Sequence, residues 1–137
     1  MKTILLVDDE PAQLKSLGIG LLRQGYRIVE ALDGQAALHR LDDFRGEIEM
    51  VVTDYAMPGI DGLELLQRIR RKFLSIPVIL ITGHGDKSLV IKAMKNRCDS
   101  FIEKPFIMET LMLEIQRINE FRSRFDQQVS CVNSRLK

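Results

Sequence analysis

Short apolar runs, each halting at a chemically useful polar residue, recur along this chain and alternate with stretches of helical spacing. Ile4-Leu5-Leu6-Val7 runs into Asp8-Asp9, Met50-Val51-Val52-Thr53 into Asp54, and Val78-Ile79-Leu80-Ile81 into Thr82. A fourth strand-like piece, Phe101-Ile102, leads to Lys104-Pro105. Continuous apolar runs of this length suit strands buried on both faces. Strict alternation with helices then calls for a parallel sheet joined by right-handed crossovers, with helices on both faces. In such an open α/β sheet the carboxyl ends of the strands share one edge, and ligands bind there. Three carboxylates, a hydroxyl and an ammonium are therefore expected to converge, a set suited to a divalent cation and a phosphoryl group.

The intervening stretches read as five helices. Leu14, Leu17, Leu21 and Leu22 lie on one face of a helix from about Pro11 to Gln24, with Pro11 in the first turn and Gly25 ending it. Asp33-Gly34 opens a second helix through about Leu41. Pro58-Gly59 and Asp61-Gly62 signal turns before a third, which carries Leu63, Leu66, Ile69 and Arg70 and closes before Pro77. Asp86 to Asn96 makes a fourth, and Met108 to about Phe125 a fifth. The charged runs Arg27-Ile28-Val29-Glu30-Ala31 and Ser100-Phe101-Ile102-Glu103 suit sheet edges. Strands 1, 3 and 4 are then central, which gives the flavodoxin-like (βα)5 order 2-1-3-4-5, a doubly wound parallel sheet.

The 137 residues, 45% of them hydrophobic and 28% charged, suffice for one domain with a substantial core. A net charge of +1 supplies no whole-chain field to draw in nucleic acid or an anionic membrane, and no basic recognition helix is evident, so neither is an expected partner. No apolar stretch approaches the roughly 20 residues that span a bilayer. Cys98 and Cys131 lack C-x-x-C spacing and read as free, reduced thiols, and a strand so near Met1 leaves no secretion signal before the fold. The expected compartment is the cytoplasm. Residues 1–125 are expected to form the domain, and 126–137 a tail or helical extension.

Each polar residue has an ordinary explanation. Asp8, Asp9 and Asp54 suit helix caps or turns, Thr82 a strand end, and Lys104 a solvated loop. Four such explanations must hold together at four strand ends of one edge. Crowded carboxylates also repel, which raises at least one pKa unless a cation compensates. Mg²⁺, with its preference for hard oxygen ligands, is the natural compensator, and a carboxylate is a competent covalent phosphate acceptor.

The segments V-D-D-E-P at 7–11, D-Y-A-M-P-G-I-D-G at 54–62, I-T-G at 81–83 and F-I-E-K-P-F at 101–106 resemble the response-regulator receiver domain of two-component signalling. The resemblance spans residue 3 to about 122. It implies a phosphorylation-activated switch and not a turnover enzyme, catalysing only its own phosphorylation and slow dephosphorylation. Asp54 would be the phosphoacceptor, charged by a histidine kinase or phosphotransfer protein. Asp9, Asp54 and the backbone carbonyl of Ala56 would bind Mg²⁺, with Asp8 acting through a coordinated water. Lys104 would pair with phosphoryl oxygens, Thr82 would be the switch hydroxyl and Phe101 the aromatic that follows it. The Lys104–Pro105 bond would be cis, and Gly83 would leave room for the donor. The altered surface would be that of the fourth helix, fifth strand and fifth helix, read by a downstream output domain or protein.

This chain departs from the family in places. Asn96-Arg97 stands where glycine is common, with Asn96 the expected left-handed residue; Phe101 lacks a tyrosine hydroxyl; Ala56 and His84 occupy the positions that tune dephosphorylation. Met108, Leu111, Ile115, Ile118, Phe125, Val129, Val132 and Leu136 keep 3-4 spacing interrupted at Arg122. A homodimer is open through that C-terminal helix or through the helix 4–strand 5–helix 5 surface. Two other classes compete. A Mg²⁺-dependent phosphatase of haloacid-dehalogenase-like type needs D-x-D after its first strand, where Asp8-Asp9 are adjacent. A flavin carrier needs a hydroxyl- and glycine-rich phosphate loop there, where Asp8-Asp9-Glu10 would repel phosphate.

Overall fold

The computed structural model describes residues 2–73, 75–83 and 85–135, with side chains as far as Arg124. Strands β1 (Thr3–Val7), β2 (Arg27–Ala31), β3 (Ile48–Asp54), β4 (Val78–Thr82) and β5 (Ser100–Glu103) alternate with helices α1 (Pro11–Arg23), α2 (Gly34–Asp43), α3 (Gly62–Lys72), α4 (Lys87–Lys95) and α5 (Met108–Arg135). Every strand pairing is parallel and the order is β2-β1-β3-β4-β5. The continuously apolar runs became the three central strands and the charged ones became the edges, as their composition dictates.

Period-2 alternation divides the central strands between two cores. On one face Leu5, Val7, Val51, Val78 and Leu80 pack with Ala37 and Leu41 of α2, Leu65, Leu66 and Ile69 of α3, and Ala93 of α4. On the other, a Cβ added to Gly18 of α1 would stand in van der Waals contact with Leu6 and Ile28, and α1 buries Leu14 and Leu21. Helices α2, α3 and α4 begin at aspartates whose side chains accept the N–H three residues on: Asp33 from Ala36 at 2.7 Å, Asp61 from Glu64 at 2.8 Å and Asp86 from Leu89 at 2.7 Å. Such caps are worth about 1 kcal/mol each.

Residues 2–106 and 107–135 fall in separate compact units. The second is α5, whose buried positions Leu111, Ile115 and Ile118 lie at i, i+4 and i+7, while Leu113 and Phe121 are exposed. Its backbone stays helical past Phe125 to Arg135, within the reach of the 3-4 spacing that runs on to Leu136. The apolar stripe expected over Phe125, Val129, Val132 and Leu136 lies outside the described side chains, as does Cys131. Cys98 is a buried free thiol, its pKa raised chiefly by burial.

The end of α4 requires a correction. Asn96 keeps φ −93° and its amide donates to the Lys92 carbonyl at 2.8 Å; Arg97 is the left-handed residue, at φ +61°. The Asn96 N–H still bonds within the helix, to the Lys92 and Ala93 carbonyls, and the Cys98 N–H closes the end on Ala93, which leaves Arg97 as the turning residue. Arg70, buried on α3, donates to the Arg97 carbonyl from Nε (3.1 Å) and Nη2 (2.7 Å), to the Ile76 carbonyl (2.6 Å) and to Asp99 Oδ2 (2.9 Å). Asp99 Oδ2 also accepts the Val78 N–H at 2.8 Å. Four bonds from one buried guanidinium fasten α3, the start of β4 and the α4–β5 turn at the amino edge of the sheet.

Candidate functional site: an acidic pocket at the carboxyl edge

At the opposite edge, main-chain bonds carry the sheet pairing past the strand ends and fix the site. The Asp8 N–H donates to the Ala31 carbonyl (3.2 Å), Tyr55 N–H to Ile81 (2.7 Å) and Lys104 N–H to Thr82 (2.7 Å). The expected residues therefore arrive together. Carboxylate oxygens of Asp8, Asp9 and Asp54 lie within 4.8 Å of one another, and Lys104 Nζ is 3.1 Å from Asp54 Oδ1. Thr82, the last residue of β4, is buried. Phe101 on β5 pairs in register with Leu80 and is only partly buried. Ala56 is exposed two residues beyond Asp54, and open space surrounds the position of a Cβ on Gly83. The Lys104–Pro105 bond is cis. His84 lies outside the described residues.

Asp8 is a structural turn residue as well as a charge. Its Oδ1 accepts the Glu10 N–H at 2.9 Å, which ties the carboxylate down just before Pro11 starts α1. Glu10 takes the cap position of that helix with no side-chain bond, so the aspartates are not caps there. Burial pushes the Asp8 pKa up, and the charges of Asp54 and Asp9 add to the rise; the Glu10 N–H and Lys104 oppose it. Three carboxylates facing one ammonium leave an excess of negative charge on hard oxygen donors. That donor set fits Mg²⁺, which takes a few carboxylates and keeps its remaining positions for water or phosphate.

The loop after Asp54 is shaped by a glycine whose role sequence reasoning read only as a turn signal. The Gly62 N–H donates to the Tyr55 carbonyl at 2.8 Å. A Cβ at Gly62 would collide with the Asp54 carbonyl oxygen and come within 2.7 Å of Leu80 Cδ1. The start of α3 therefore presses directly on the backbone of the central acid. Gly59, at φ +76°, makes the turn that brings the chain back.

Residues 4–116 match the family model of the response regulator receiver domain. The chain is 38% identical over 120 residues to the C4-dicarboxylate transport transcriptional regulatory protein DctD of Pseudomonas aeruginosa, covering 87% of this chain and 25% of that protein. It is 37% identical over 118 residues to the transcriptional regulatory protein FixJ of Rhizobium meliloti, covering 86% of this chain and 57% of that one. Among solved structures, a response regulator receiver domain protein from Clostridium thermocellum superposes with a TM-score of 0.86 at 27% identity, over 91% of this chain and 99% of that one. This chain belongs to the response regulator receiver domain family, the receiver modules of two-component signalling. It spans a quarter to somewhat over half the length of these two regulators. None of its described helices is long and apolar enough to cross a membrane.

Proposed function

We propose that this domain is a Mg²⁺-dependent phosphorylation switch in which Asp54 accepts a phosphoryl group from the histidine of a kinase or phosphotransfer protein. The observation that carries the reading is the single cluster of Asp8, Asp9 and Asp54 with Lys104 reaching Asp54 at 3.1 Å. Phosphoryl transfer asks of a protein mainly positioning and neutralisation of charge on the equatorial oxygens. Asp9, Asp54 and the Ala56 carbonyl would hold Mg²⁺, with Asp8 one water further out. Bound there, the ion would screen the carboxylates from the incoming phosphoryl group and orient its oxygens. Lys104 exchanges its pairing with the Asp54 carboxylate for one with a phosphoryl oxygen. Thr82 donates its hydroxyl to another, and Phe101 repacks in response.

The energetics limit what these contacts achieve alone. A hydroxyl bond is worth roughly 0.5–1.5 kcal/mol and a charge-assisted one about 1.5–3 kcal/mol. Only the difference between active and inactive states biases the switch. Lys104 already pairs with Asp54, so its differential share is small. Inverting a 1:99 population needs about 5.5 kcal/mol. Phosphate therefore tilts the equilibrium, and an output domain or protein docked on the α4–β5 face completes it.

On this reading residues 1–125 form a cytoplasmic receiver, and 126–137 extend its last helix towards an output domain or a second copy. The phosphatase alternative has no supporting observation, since Ala56 stands two residues beyond Asp54. Acetyl phosphate with Mg²⁺ should add one phosphoryl group to the wild type and none to Asp54→Asn, read by intact-protein mass spectrometry. Labelling that survives in Asp54→Asn, or wild type that stays unlabelled, removes the reading.

A further inference from the structure

Strand β3 runs one residue further than its pairing with β1, which ends at Val7 and Thr53. The Tyr55 N–H points to β4 and donates to the Ile81 carbonyl at 2.7 Å. In a trans peptide the carbonyl points the opposite way, so the Asp54 carbonyl faces the β1 side, past the end of that pairing. No main-chain N–H outside the strands donates to it among the described residues. The residue before it supplies the bond: Thr53 Oγ1 donates to the Asp54 carbonyl at 3.0 Å. The start of α3 closes off the same carbonyl, since a Cβ at Gly62 would collide with it. Thr53 is fully buried and stands in register with Val7 and Leu80, both members of the apolar core. Valine has the same branched shape, so the hydroxyl is the part of Thr53 that packing does not require.

The hydroxyl does more than satisfy a buried acceptor. It pins one side of the Asp54–Tyr55 peptide plane, and the Tyr55 N–H pins the other to β4. That plane joins Asp54, whose carboxylate meets Lys104 at 3.1 Å, to the turn that carries Ala56. We propose that Thr53 is a positioning residue for phosphoryl transfer. Through the Asp54 carbonyl, its hydroxyl holds the Asp54 carboxylate and the Ala56 carbonyl in the relative orientation that one Mg²⁺ ion and one phosphoryl group share. Thr53 itself touches neither. The inference rests on the reading of Asp54 as phosphoacceptor given above. A misplacement of about 1 Å can cost about 100-fold in rate. Removing one pin while the other stays should cost less, about tenfold.

The test compares Thr53→Val, which keeps the shape, with Thr53→Ser, which keeps the hydroxyl, both in the full chain and under conditions where urea titration shows them folded. Thr53→Ala replaces Thr53→Val should the latter not fold. The first readout is amide hydrogen exchange in metal-free protein. Tyr55 exchange, taken relative to the Val51 amide in the same spectrum, should be about tenfold faster in Thr53→Val and unchanged in Thr53→Ser. The second is labelling by acetyl phosphate at sub-saturating Mg²⁺, read by intact-protein mass spectrometry. It should be about tenfold slower in Thr53→Val and within about twofold of wild type in Thr53→Ser. A merely structural hydroxyl would lower the urea midpoint and move neither readout of the folded protein. Thr53→Val labelling at the wild-type rate, Thr53→Ser labelling as slowly as Thr53→Val, or unchanged relative exchange at Tyr55 each overturns the proposal and leaves the switch standing. Wild type that stays unlabelled removes the reading of Asp54, and the proposal with it.

Discussion

Arg70→Met offers the sharpest test of how the amino edge is held. The change keeps an unbranched apolar stem in the helix and deletes four donated bonds to three acceptors, the carbonyls of Ile76 and Arg97 and the carboxylate of Asp99. Breaking a buried ion pair from one side costs about 3–5 kcal/mol, because the other charge is left stranded. Here the stranding is partial. Asp99 is 30% exposed and keeps the Val78 N–H, and Arg97 is an exposed residue. The low end of the range, about 3 kcal/mol, is the expected loss. That is a large share of a domain's usual 5–15 kcal/mol.

With a urea slope of about 1–3 kcal/mol/M, the unfolding midpoint should fall by roughly 1–3 M. A double-mutant cycle with Asp99→Asn should return coupling, since the two groups share one network. Arg70→Lys should fall between, retaining charge without the planar fork that serves three acceptors at once. Asp54 should still label, because the network sits at the far edge of the sheet. A loss below about 0.5 kcal/mol, the range of ordinary surface changes, would refute this account of the guanidinium as a clamp.

Two further outcomes concern the acidic edge. Asp8 has a pKa raised above the ordinary aspartate value of 3.8, mainly by burial, so the folded protein binds its proton more readily than the unfolded chain does. Its contribution to stability therefore falls as pH rises from 3.8 through the raised folded value, and the penalty is fully present above that value. Asp8→Asn should accordingly be more stable than wild type at pH 7 without Mg²⁺, with the gain shrinking as pH approaches 3.8. Urea titrations across pH check this, and a less stable variant at pH 7 contradicts it. In wild type, Mg²⁺ at ten times its Kd should add about 1.4 kcal/mol, and Asp8→Asn should reduce that increment. In NMR spectra, the isolated domain with beryllofluoride and Mg²⁺ should show α4 and β5 shifts between two extremes. Shifts already at the active-state limit would contradict the partial tilt.

How much of this was legible in the sequence depends on whether the information was local. The five strands, their parallel order and the meeting of Asp8, Asp9, Asp54 and Lys104 at the edge where Thr82 ends β4 followed from apolar runs and from what stood at their ends. These are properties of contiguous residues plus one rule of topology. Arg70 was visible only as a member of the α3 stripe. Its stem does behave as such, but its acceptors are main-chain carbonyls 6 and 27 residues away, and carbonyls carry no sequence signal. The left-handed conformation fell to Arg97 and not to Asn96, the residue type that favours it, because the Asn96 N–H still bonds within the helix and the Cys98 N–H closes the end on Ala93. Gly62 was read as a turn residue; that it lies against the Asp54 carbonyl depends on packing no turn rule contains. Beyond Phe125 the sequence left a tail and a helical extension both open, because the 3-4 spacing continues where the domain offers nothing more to cover; the backbone is helical to Arg135.

These long-range features bear on α4 unequally along its length. Its first turn follows the Thr82 end of β4 and is held by the Asp86 side chain, which accepts the Leu89 N–H, and by the Val90 N–H on the Asp86 carbonyl. Its last turn is held by the Asn96 amide on Lys92, by three main-chain bonds to the Asn96 and Arg97 N–H groups, and by the Arg70 fork on the Arg97 carbonyl. A cap contributes about 1 kcal/mol, whereas the fork belongs to a network whose loss costs about three times that. Any rearrangement at the carboxyl edge therefore meets the least resistance at the start of α4 and the most at its end. A pivot of α4 about Arg97 would therefore break fewer of these bonds than a slide of the whole helix.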